Sequence, residues 1–128
     1  IWRKNNFEQL FKIAYEKGII LSGVSAGAVC WFDWILSDSK GLGFKPLKGI
    51  NLIEGSCTPH SSNIERINEF KLNIKNNKLP NGIAIDDGVA VVFIDGKPTE
   101  VYSTLDNQGA YFLDKNKKIN LKEYIKNR

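Results

Sequence analysis

The sequence predicts an α/β fold: one domain over residues 1–128, its sheet opening with parallel strands and closing with short antiparallel ones. Three observations predict it. A helical apolar period runs straight into an unalternating apolar segment, and a Gly-and-Ser turn joins that segment to a second apolar stretch. The C-terminal part then breaks into short apolar segments divided by turn residues.

From Asn6 to Lys17, Phe7, Leu10, Phe11, Ala14 and Tyr15 recur at spacings of three and four, one face of a helix, and Gly18 supplies its stop. Gly18 to Ser22 is apolar without alternation, as a strand covered on both faces would be. Residues 28–34 carry enough apolar surface for a helix packed on the sheet, with Trp31, Phe32 and Trp34 as core aromatics. Asp38 to Lys48 reads as a loop, and Gly49 to Glu54 as a short strand or extended segment. Thr58 to Asn63 is a second loop, and Asn63 can cap a helix whose apolar positions are Ile64, Ile67, Phe70 and Ile74. The segments 82–85, 90–94, 100–103 and 110–113 read as antiparallel strands finishing the sheet. Asp95-Gly96 marks a hairpin, and a helix is expected near 121–126.

Composition narrows the function. With 42% hydrophobic and 25% charged residues the chain can build a core, so disorder is excluded. The net charge of +4 is densest at Lys115, Lys117, Lys118, Lys122, Lys126 and Arg128, without interleaved aromatics to stack bases, so a solvated face is expected and no nucleic-acid partner. Cys30 and Cys57 form no CxxC pair and His60 is the only histidine, so neither a metal nor another cofactor is expected. No apolar run is long enough to span a membrane and no signal peptide is visible; the expected setting is the cytoplasm, with both cysteines as thiols. The chain opens on Ile1, which suggests a fragment of a longer protein.

The chemistry concentrates in Gly23-Val-Ser-Ala-Gly27. A serine hydroxyl becomes a nucleophile only when a base takes its proton and when the backbone projects it toward a substrate, and Gly-x-Ser-x-Gly between strand and helix meets the second demand. Ser25 is thus the expected nucleophile and the Ala26 N–H an oxyanion donor, helped by the start of a helix. His60, in a Pro-His loop before a helix, is the expected base. The order serine before histidine, at this short interval, argues against an ordinary α/β-hydrolase. For the acid that orients the imidazole, the end of the 82–85 segment offers Asp86 and, as its substitute, Asp87; Asp33, Asp38 and Glu54 are lesser candidates. Cys30 lies too far into the stretch after the turn to be the nucleophile and is read as a structural thiol.

These residues resemble the dipeptidase E family of serine peptidases, relatives of cyanophycinase. The likeness rests on Gly18-Ile-Ile-Leu-Ser-Gly-Val-Ser-Ala-Gly-Ala28, Cys30-Trp-Phe32 with Asp38-Ser39, Pro59-His60, and Gly82-Ile-Ala-Ile-Asp-Asp-Gly88. It implies a three-layer sheet like that of the class I glutamine amidotransferases (flavodoxin-like) and hydrolysis of small peptides, including aspartyl dipeptides, through an acyl-enzyme. Ser25 then falls on the family's nucleophile, His60 on its base, and Asp86 or its neighbour on its acid, usually a glutamate. Family members are longer, with strands and a Gly-rich loop ahead of the first helix seen here; that loop supplies a second oxyanion donor, and absence of the strands would leave a sheet edge open to homodimerisation. Family members specific for aspartate place an arginine just beyond the histidine, where this chain has Ser62 and Asn63, and Arg66 is the nearest substitute. An inactive member serving as a binding domain is the alternative, and amidotransferase-like or esterase activity has only fold analogy behind it.

Overall fold

The computed structural model describes residues 6–39, 41 and 43–127; Ile1 and Arg128, noted above, lie outside them. The elements in chain order are α1 (Phe7–Glu16), α2 (Ala26–Val29), β1 (Phe32–Ser37), β2 (Lys45–Lys48), β3 (Ile53–Thr58), α3 (Ile64–Lys75), β4 (Gly82–Ile85), β5 (Val89–Ile94), β6 (Lys97–Ser103), β7 (Ala110–Leu113), β8 (Lys118–Asn120) and α4 (Leu121–Lys126). Six strands form one sheet in the order β2-β1-β3-β4-β7-β8, while β5 and β6 pair as a separate hairpin. The pairs β1–β3 and β3–β4 are parallel, and the outer pairs are antiparallel.

Side-chain parity divides the core between the two faces of this sheet. On one face, Leu36, Ala84 and Leu113 meet Ile67, Phe70 and Ile74 of α3. On the other, Phe32, Cys57, Ile83 and Ala110 meet Val29 and Leu121, with Val91, Phe93 and Val101 of the hairpin and Tyr124 of α4 against them. Strand β7 alternates as a pleated strand must: Tyr111 and Leu113 to the α3 face, Ala110 and Phe112 to the other. Phe32 and Trp34 break this parity, lying on opposite faces although two residues apart, because the β1–β3 register shifts between them.

Helix α3 is fixed by local chemistry as well as by its apolar face. The Asn63 side chain accepts from Arg66 N at 3.1 Å, Glu65 sits in the positive first turn and Lys75 in the negative last one. Helix α1 ends as its sequence requires: Gly18, at φ 82, donates to Tyr15 O while Ile19 donates to Ala14 O, the paired bonds of a glycine-closed helix end.

Three expectations are corrected. Residues 18–22 are not a strand; they find no sheet neighbour among the described residues, and Ile20 is 90% exposed. The stretch 28–34 is not one helix: α2 stops at Val29 and β1 begins at Phe32, because an aromatic and branched run of this kind fits the pleated sheet better than a helix. The strand expected over 49–54 starts later, at Ile53, and the loop before it contains β2. The late segments do form strands, but β4 pairs in parallel with β3 and antiparallel only with β7, and β5 and β6 stand apart from the main sheet.

Phe70 is completely buried at the centre of the α3 face. Phe70→Ala is expected to cost about 3–5 kcal/mol of folding stability, read as a lower urea midpoint.

Candidate active site

The nucleophile candidate sits where the chain is most constrained. Ser25 has φ 56 and ψ −118, and Gly23 before it approaches Gly27 so closely that a Cβ on Gly23 would lie 2.0 Å from the Gly27 carbonyl oxygen. Only glycine fits there. Gly27 itself has open space where its Cβ would be, so the two glycines of the motif answer different demands. Ser25 is the N-cap of α2 but its side chain makes no capping bond, which leaves the hydroxyl directed elsewhere.

It is directed at His60: Ser25 Oγ lies 2.8 Å from His60 Nε2. The histidine follows Pro59 in the turn between β3 and α3 and adopts φ 51. Its other nitrogen, Nδ1, is hydrogen-bonded to Asp87 Oδ1. A carboxylate can only accept, which assigns the ring proton to Nδ1 and makes Nε2 the acceptor for the serine proton. The three side chains come from three turns, before α2, after β3 and after β4, all at one end of the sheet.

Of the two adjacent aspartates, Asp87 reaches the histidine and Asp86 does not, which reverses the expected order of preference. Asp86 is buried, accepting from Ser61 Oγ at 2.5 Å through Oδ1 and from Gly109 N at 3.0 Å through Oδ2. Successive residues leaving a strand point to opposite sides, so only one of the pair can face His60. Asp33 and Asp38 are engaged elsewhere, with Lys48 at 3.8 Å and Arg66 at 3.1 Å.

Ala26 is the first residue of α2, so its N–H has no acceptor within the helix and remains available beside the hydroxyl. The helix start expected to help it is α2, which at four residues adds only a small dipole. Arg66 is also reassigned. Its guanidinium is buried, donates to Leu36 O at 3.2 Å and Thr58 Oγ1 at 3.4 Å, pairs with Asp38 and stacks over Phe44, so it braces Asp38 and Phe44 to α3. Sequence alone hid this, since a buried arginine on a helix leaves no pattern in its neighbours.

Cys30 is half-buried with its Sγ on Gly27 O at 3.3 Å, and burial pushes its thiol up to about 11. Among the described residues no group of three His, Cys, Asp or Glu side chains could hold a metal ion, and no helix is long and apolar enough to cross a membrane. A concavity of about 420 Å³ lies toward the other end of the sheet, between the last turns of α3 and the β7–β8 turn; it is rimmed by lysines and contains neither nucleophile nor base.

Residues 1–101, which include Ser25, His60 and Asp87, match the model of Peptidase family S51. The chain belongs to that family. The uncharacterized peptidase YgaJ of Bacillus subtilis (strain 168) is 31% identical over 112 residues, an alignment covering 87% of this chain and 48% of YgaJ. The S51 chain described here therefore spans about half the length of that relative.

The elbow's geometry predicts opposite outcomes for its glycines. Gly23→Ala is expected to lower the melting temperature by the equivalent of about 1–3 kcal/mol or more through overpacking. Gly27→Ala, in open space within α2, is expected to leave stability unchanged or raise it by up to about 1 kcal/mol. For Cys30, a pKa of about 11 leaves only about one thiol in a thousand ionised at pH 8. Iodoacetamide at that pH is expected to leave Cys30 unmodified in the folded protein, as read by peptide mass spectrometry.

Proposed function

We propose that this S51 chain carries the reaction centre of a serine peptidase for short peptides, with Ser25 as nucleophile, His60 as general base and Asp87 as the acid that orients it. The continuous relay Ser25 Oγ to His60 Nε2, and His60 Nδ1 to Asp87, carries the proposal. Ser25 Oγ attacks the scissile carbonyl carbon as Nε2 takes the hydroxyl proton. The oxyanion accepts from the Ala26 N–H, and Asp87 stabilises the imidazolium without taking its proton. Collapse breaks the C–N bond, the leaving amine collects the proton from Nε2, and an acyl ester remains on Ser25. Water, deprotonated by the same nitrogen, then releases the acid and restores the hydroxyl.

The parallel strands β1, β3 and β4, with α3 on one face and α4 on the other, support reading the fold as a three-layer sheet of the class I glutamine amidotransferase kind. Recognition of an aspartyl side chain by Arg66 is not part of the proposal, because its donors are taken up inside the protein.

A fluorophosphonate serine-hydrolase probe tests this reading. Labelling is expected at Ser25, abolished by Ser25→Ala and His60→Ala, and slowed by on the order of a hundredfold or more in Asp87→Asn, which leaves the ring without its orienting charge. A folded protein that takes no label would mean that this arrangement serves binding rather than catalysis.

A further inference from the structure

We propose that Asp86 is a positioning residue: through Ser61 and Gly109 it holds the two turns that carry His60 and Asp87 at the spacing their hydrogen bond needs. The inference rests on the peptidase reading for its catalytic consequence, though not for its geometry. Asp86 precedes Asp87 in sequence and Ser61 follows His60, so the buried bond from Ser61 Oγ to Asp86 Oδ1 at 2.5 Å runs directly behind the exposed bond from His60 to Asp87. The two histidine-side and aspartate-side turns are therefore joined twice, once in solvent and once inside the protein.

The backbone repeats the link. Ser61 N donates to Ile85 O at 3.1 Å, and Asp86 N donates to Gly109 O at 3.0 Å while Gly109 N returns a bond to Asp86 Oδ2 at 3.0 Å. Beyond Asp87, Thr104 donates to Gly88 O through both its N–H, at 3.0 Å, and its hydroxyl, at 3.1 Å. Asp87 is thus bound on both sides through its neighbours, although its own side chain is 64% exposed. His60, 45% exposed, is in the same position: water competes for the bond between the pair, and the geometry must come from behind it. A buried carboxylate taking one hydroxyl and one N–H has both oxygens satisfied, so it can act as a rigid spacer.

The variants Ser61→Ala and Asp86→Asn test this. Ser61→Ala changes no charge and keeps the Gly109 bonds, so it is the variant expected to stay folded. Because His60 is the only histidine in the chain, its ring protons give one set of NMR signals. In the native protein the Nδ1–H held on Asp87 is expected to be visible far downfield, and in Ser61→Ala to be lost to exchange with water. The maximal rate of fluorophosphonate labelling at Ser25 is expected to fall about tenfold to a hundredfold, the cost of a small misplacement, while the probe concentration giving half that rate stays constant. A folded Ser61→Ala protein that keeps both the Nδ1–H signal and the maximal rate overturns the proposal, even if its melting temperature drops. If the native protein takes no label, the peptidase reading fails, and the Nδ1–H signal alone decides whether Asp86 positions the pair.

Discussion

The parallel pairing of β3 with β4 is the constraint on which the candidate site depends. Thr58 stands opposite Ala84, so both strands end side by side and the turns bearing His60 and Asp87 leave from neighbouring points. The register is fixed at the other end of the pair, where Gly82 lies against Ser56 so tightly that a Cβ would come within 2.1 Å of Ser56 Oγ and 2.4 Å of its carbonyl oxygen. Ser56 Oγ then donates to Pro80 O, which leaves a buried hydroxyl satisfied. A one-residue slip would turn Ala84 and Ile83 to the wrong faces and separate the histidine from its carboxylate.

Magnitudes indicate what holds the site together. An exposed contact such as the hydrogen bond from His60 to Asp87, where water competes for both partners, is worth about 0–1 kcal/mol, too little to order two turns. A buried hydrogen bond to a charged group is worth about 1.5–3 kcal/mol, and Asp86 accepts two. The core on both sides of the sheet supplies the larger stabilisation, and the exposed relay is arranged upon it.

Much of this was legible in the residues. α3, β4, β7 and α4 follow from a cap, an apolar period or a short apolar run bounded by turn residues, and Asp95 and Gly96 both adopt the positive φ that a tight hairpin requires. Ser25 and His60 were visible as a motif and as a lone histidine. What the sequence concealed depends on partners distant along the chain. Ile19 to Leu21 has the composition of a strand, but composition cannot supply a neighbour to pair with. The break between Val29 and Phe32 is set by β1 joining β3, and β8 is three residues long and stands only because β7 pairs with it. Asp86 and Asp87 are chemically identical, so their roles separate only once the strand before them fixes which side each faces.

Ser25 and His60 both occupy the positive-φ region, where a residue with a Cβ is held at a cost of about 1–3 kcal/mol. Glycine bears no such cost. The two positions proposed as nucleophile and base are therefore positions where glycine would make the molecule more durable, so stability and the proposed chemistry pull in opposite directions there.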